Sequence, residues 1–202
     1  ILFGKWVYWI GIPLFNNSIV ISSSRIFFKY INIENIENGW LDWINDHKLI
    51  EYLETSGLAT KESLLEYLEK SQPPTVHMFA VYEISSGDYI GNARLSSIDY
   101  INKDATYGRL IGGKKHHGKG YGTEMLSLLS DFAFNVLKLE RIYTGVNNNN
   151  IGSVKSNIKA GVVLDRVEQR VDKNGKKYNV SFFSINSRTN EWFRIEPFRG
   201  LN

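Results

Sequence analysis

The sequence contains no cysteine. That removes disulfides, thiolate metal ligands and a cysteine nucleophile together, and it leaves the cellular compartment open. Proline is scarce, with 4 in 202 residues, and Pro73-Pro74 accounts for half of them. Charge of one sign is also lacking. The formal net charge of +3 gives no basis for a nucleic-acid partner. No run of about 18 or more apolar residues occurs. The nearest approach, ILFGKWVYWIGIPLF at residues 1–15, carries Gly4, Lys5, Gly11 and Pro13 and is too short to span a bilayer, so no membrane partner is expected. No grouping of side chains points to a metal.

Hydrophobic residues make up 43% of the chain and aromatic residues 13%, enough for a core of ordinary size. The length suits one domain, placed at residues 23–185, with an extension at 1–22 and a polar tail at 186–202 that carries Trp192 and Phe193. The extension is read as an irregular arm or an extra strand. Ser24–Ile31 reads as a strand. Trp40, Leu41, Trp43, Ile44 and Leu49 form a helical stripe, and Thr60 begins a second helix with Glu62 and Glu66 near its start. Alternation then predicts strands over Val76–Ile84, Tyr89–Ile98 and Thr106–Ile111. Met125, Leu128, Leu129, Phe132 and Val136 predict a long helix over Gly120–Leu137. A strand at Arg141–Val146, a helix ending near Gly161, and a hairpin of Val162–Val171 with Tyr178–Ile185 complete the order. This is an α+β, mixed three-layer pattern.

Gly118, Gly120 and Gly122 follow a predicted strand and open the long helix. Unpaired amides at a helix start, together with the helix dipole, stabilise a bound phosphate, and glycine lets the backbone come close to it. Lys114, Lys115 and Lys119 add positive charge. Two familiar phosphate motifs fail here. Gly113 to Lys119 spells G-x-x-x-x-G-K, but the next residue is Gly120 where a Mg²⁺-binding hydroxyl is needed. The glycine spacing also misses the dinucleotide fingerprint.

Three segments, His117-Gly118-Lys119-Gly120-Tyr121-Gly122, Asn150 to Ser153 followed by Lys159-Ala160-Gly161-Val162, and Trp43-Ile44-Asn45-Asp46, together resemble the GCN5-related N-acetyltransferases. More narrowly, they look like the branch of ribosomal-protein N-acetyltransferases and acetyltransferases of nucleotide-linked amino sugars. The resemblance implies an acyl-CoA N-acyltransferase fold with a central, mostly antiparallel, splayed sheet. It implies acetyl-CoA as donor, a small-molecule amine as acceptor, a cytoplasmic location, and a monomer or homodimer. Ile111, His117, Gly118, Lys119, Gly120, Tyr121, Gly122, Thr123, Asn150 and Ser153 would hold coenzyme A, with His117 replacing the family's Arg or Gln. Trp43, Asn45, Asp46, Arg94 and Tyr107 would face the acceptor.

Two further positions depart from the family. Relatives often carry a Glu base in the strand before the loop, and Ala105-Thr106-Tyr107-Gly108 has none. Many carry a Tyr acid in the helix after Asn150, where this chain has Asn157. An amide near Leu110 and Ile111 would polarise the thioester carbonyl, with Asn150 beside it. For the base, His116 is near the loop and titrates in range. His77, Tyr107, Asp99, Glu83 and a water relay are alternatives. The first expectation for the acceptor is an amino sugar on a nucleotide carrier, with Arg94, Arg109 and Lys103 as a second anion site. A protein amine, another small amine and a non-catalytic acyl-CoA-binding or interaction module stay open.

Overall fold

A computed structural model describes residues 19–52, 58–172 and 174–188. Residues 1–18, most of the tail with Trp192 and Phe193, and Lys173 of the expected hairpin turn lie outside the described residues.

One eight-stranded sheet runs through the molecule in the order β1-β2-β3-β4-β5-β6-β8-β7. The strands are β1 Ile19–Ser22, β2 Ile26–Tyr30, β3 His77–Glu83, β4 Tyr89–Asp99, β5 Asp104–Ile111, β6 Arg141–Asn147, β7 Val163–Val171 and β8 Lys177–Asn186. Every pairing is antiparallel except β5 with β6. That parallel pair is short. Asp104, Ala105 and Thr106 face Arg141, Ile142 and Tyr143, and the register stops there. From Tyr107 onward β5 stays on β4 and has no β6 partner, so the sheet opens into a wedge. This is the splayed, mostly antiparallel sheet of the acyl-CoA N-acyltransferase fold. β1 lies inside the segment expected as an extension and joins the sheet edge.

Alternation along the strands sorts side chains onto two faces. Phe79, Val81, Ala93, Leu95, Ala105, Tyr107 and Ile142 pack with α5, Tyr121–Asp131, into the main core. Met125, Leu126, Leu128 and Leu129 of α5 are fully buried there. On the other face Met78 packs with Ile36, Trp40, Leu64 and Leu68. The helices on that side are α1 Ile33–Asn35, α2 Leu41–Asn45, α3 His47–Ile50 and α4 Lys61–Lys70. The last helix, α6, covers Ile151–Lys159.

Two helical stripes read from the sequence prove to be broken. Trp40 to Leu49 is divided because Asp46 is extended and its carboxylate accepts from the Lys48 amide at 2.9 Å, starting α3 afresh. After Asp131 the long helix widens over Phe132–Val136, where the Leu137 amide reaches back to the Phe132 carbonyl. The wider turn brings Phe134 inward and leaves Val136 exposed at 59%. The Thr60 cap is closed by Ser63: each side chain accepts from the other's backbone amide. In the β7–β8 turn the Asp172 carboxylate accepts from the amides of Asn174 and Lys176.

Candidate donor site

The glycine loop adjoins the end of β5 that β6 leaves unpaired, with Gly122 against Ile111. Gly118 and Gly120 have φ of +74° and +85°, conformations that residues with a Cβ rarely adopt. A Cβ on Gly118 would meet nothing within 4 Å, so the backbone conformation alone requires glycine there. Gly120 is the N-cap of α5 and has no side chain to satisfy the first amides of that helix. The loop is fastened from outside by Arg25, which donates to the Lys119 carbonyl at 2.9 Å and forms an ion pair with the buried Glu124. Ser23 also donates to Glu124. Neither Arg25 nor Glu124 had a motif to mark it in the sequence.

The floor is built where β5, α5 and α6 converge. Gly122 marks the meeting point: a Cβ there would lie 3.5 Å from Cδ1 of Ile111 and 3.6 Å from Oγ of Ser156, in ordinary contact with both the strand end and α6. Arg109 donates to the Gly122 carbonyl at 2.7 Å and to Ser156 Oγ at 2.8 Å, and it contacts Oδ1 of Asn157. Thr123 donates to the Ser156 carbonyl at 3.4 Å. Asn150 caps α6: its side-chain oxygen accepts from the Ser153 amide at 3.0 Å. His117 Nε2 sits 3.0 Å from the Ile111 carbonyl.

Other expected residues have different work. Asn45 brackets the Ala59 backbone, donating to its carbonyl at 2.9 Å and accepting from its amide at 2.8 Å. Arg94 donates to the Tyr67 hydroxyl on the α4 side of the sheet. Lys103 pairs with Glu140 at 2.8 Å. Arg94, Arg109 and Lys103 therefore do not converge on a second anion site. Their strand positions send Arg94 and Arg109 to opposite faces of the sheet. The Trp43 ring lies against Gly112 and, at 4.6 Å between centroids, against Tyr89. Tyr89 also lines a cleft of about 410 Å³ with Asn35, Asn38, Tyr82, Asp88 and Lys115. Lys115 and Asp88 are paired there at 2.6 Å.

Of the expected bases, Tyr107 stands at the start of the unpaired stretch of β5, its ring centroid 6.0 Å from the Arg109 guanidinium, and the others are held elsewhere. His116 is buried against Tyr121, 3.9 Å from Asp88, and burial lowers its pKa. His77 is buried beside Phe79 and Phe132, where desolvation pushes its pKa down to about 4. Glu83 accepts from the Tyr121 hydroxyl, and that bond holds its carboxyl below the usual range. Asp99 accepts from the amides of Ile101 and Asn102 and is likewise lowered, chiefly by the Asn102 amide. Tyr107 is buried, its hydroxyl has no partner, and burial raises its pKa. Among the described residues no helix is long and apolar enough to cross a membrane.

The sequence profile described as "Acetyltransferase (GNAT) domain" matches residues 25–163. A probable N-acetyltransferase from Bacillus subtilis, YjcK, is 35% identical over 104 residues, covering 50% of this chain and 56% of the relative. The chain thus spans just over half the length of that relative. Spermidine N(1)-acetyltransferase from Vibrio cholerae is 25% identical over 120 residues, covering 57% and 69%. Among solved structures, spermidine N-acetyltransferase from Vibrio cholerae in complex with CoA and spermine superposes with a TM-score of 0.71 at 22% identity, over 81% of this chain and 96% of that one.

Proposed function

The chain belongs to the GNAT acetyltransferase family, and from that premise we propose that it transfers the acetyl group of acetyl-CoA to a primary amine of a small polyamine-like molecule. The observation that carries the donor half is the pair of left-handed glycines opening α5 over the β5–β6 wedge. The amides at residues 118–122 suit a diphosphate, and the wedge suits an extended arm that completes the interrupted β5 edge. When bound, acetyl-CoA supplies the activated acyl group. The protein's part is to hold the arm along β5, present a backbone amide near Leu110 and Ile111 to the carbonyl oxygen, and bring the amine in from the α1–α4 side.

The polyamine reading for the acceptor is supported by the named substrates of the Vibrio cholerae relative and by the chemistry beside Trp43. That cleft offers two carboxamides, two phenols and the Asp88 carboxylate, which an incoming ammonium group would share with or take over from Lys115. The nucleotide-amino-sugar expectation has less support, because among the described residues Arg94, Arg109 and Lys103 do not gather to hold a nucleotide's phosphates. Thiol release from acetyl-CoA, measured with spermidine, spermine, a nucleotide amino sugar and a peptide N-terminus, tests the reading. Turnover is expected with the polyamines. Turnover confined to the sugar or the peptide would overturn the acceptor, and no turnover despite tight acetyl-CoA binding would overturn the enzyme.

A further inference from the structure

Arg109 stands in the unpaired stretch of β5, and its side chain crosses to α6. It is half-buried, deep enough for desolvation to lower its pKa. Among the described residues every hydrogen-bond partner it has is a neutral oxygen, the Gly122 carbonyl, Ser156 Oγ and Asn157 Oδ1, and its guanidinium lies over the Tyr107 ring, 6.0 Å from the centroid. No carboxylate pairs with it among the described residues. Its one titratable neighbour is Tyr107, which stays neutral. A desolvated cation without an opposite charge is costly, which makes the place attractive to an anion.

The adjoining side chain carries a second, independent mark. Asn157 has no exposed surface, yet its Nδ2 has no acceptor. The amide cannot flip to hide the mismatch, because Oδ1 is held by the guanidinium. The Tyr107 hydroxyl on the same face of β5 is also buried without a partner. A cation lacking a counter-charge, beside two buried donors without acceptors in the stretch of β5 that β6 leaves unpaired, has the chemistry to take an anion.

We propose that Arg109 and Asn157 receive the sulfur of coenzyme A as it leaves as a thiolate. This inference rests on the donor-site reading above. As the amine nitrogen forms its bond to the acetyl carbon, the carbon–sulfur bond breaks and its electron pair passes to sulfur. The amine's proton goes to water. Sulfur takes no proton in that step: Asn157 Nδ2 donates a hydrogen bond to it, and Arg109 supplies the charge and fixes the amide. The pair thereby does the work of the acid that the helix after Asn150 lacks.

Calorimetric binding of coenzyme A and of desulfo-coenzyme A, which lacks the sulfur, tests this without turnover. Wild type should prefer coenzyme A by about tenfold at pH 9, where the site can draw the bound thiol into its ionised form, and by less than about twofold at pH 6. Asn157→Asp gives Arg109 its own carboxylate, so the fold has a reason to survive. It should lose the preference at pH 9 while holding desulfo-coenzyme A within about twofold of wild type. Equal affinity of wild type for the two ligands at pH 9 would overturn the proposal. So would an Asn157→Asp protein weakened equally for both, since that places the charge with the phosphates. Failure of wild type to bind either ligand would remove the donor site itself.

Discussion

An ideal Cβ on Gly112 would lie 2.0 Å from Cε2 of Trp43, inside the indole ring. The end of β5 and the helix α2 are therefore in contact through a position where no side chain fits. Gly112→Ala should displace Trp43 and disturb both the strand end and the adjoining cleft. The expected cost is about 1–3 kcal/mol in urea denaturation, typical of overpacking, with a higher KM for the amine. In a Trp43→Ala background the same substitution should cost much less. Simple additivity of the two would separate the residues energetically and sink the explanation.

The glycine loop makes a sharper prediction. Gly120→Glu adds both a strained backbone at φ +85° and a carboxylate at the start of α5. Gly120→Asn adds a side chain that tolerates the left-handed region but no charge. Acetyl-CoA affinity should fall at least about a hundredfold for Glu and about tenfold or less for Asn, since two like charges brought within a few ångströms repel by several kcal/mol when partly shielded from water. Calorimetry alongside circular dichroism would read binding and fold separately. Equal losses would show that conformation, not charge, governs the loop.

Much of this architecture could be read from local pattern. The β7–β8 hairpin announced itself through Asp172-Lys173-Asn174-Gly175, and the strands through alternation. The breaks were hidden because they depend on competition between neighbours. Asp46 can cap or continue, and only the observed amide bond from Lys48 shows that it caps. Val136 fits the stripe of an ideal helix, but the widened turn after Asp131 shifts the period. In the site, the glycine spacing was visible, while the floor was not. Arg109 follows Ala105 and Tyr107 on a core-facing alternation, a signal that it points inward, yet its partners on α5 and α6 are remote in sequence. The same holds for Arg25 and Glu124, which meet across 99 residues.

Arg25→Ala should loosen the loop from the sheet edge. It strips the buried Glu124 of its cation while Ser23 remains as donor. A destabilisation of about 1–3 kcal/mol follows from leaving that carboxylate under-compensated. Acetyl-CoA should bind more weakly as Lys119 loses its tether. Adding Glu124→Gln removes the stranded charge and should recover part of the stability without recovering the affinity. Recovery of both would mean that the clamp serves folding alone.

The His77–Tyr30 pair ties stability to pH. The Tyr30 hydroxyl lies 2.7 Å from Nδ1 of His77, and Nε2 is buried without a partner. Burial lowers the folded pKa of His77 to about 4, against an ordinary value of 6.5. Between those values the unfolded chain binds a proton that the folded chain refuses. Stability is thus fully present above pH 6.5 and drains as pH falls toward 4, by up to about 3 kcal/mol at 1.36 kcal/mol per pKa unit. His116, also lowered by burial, acts in the same direction. His77→Asn keeps a carboxamide near the Nδ1 position but does not titrate. Its midpoint in urea should change with pH distinctly less than that of wild type between pH 6.5 and 5.5, before the carboxylates begin to protonate. An unchanged slope would assign the pH dependence to other groups and leave His77 as packing alone.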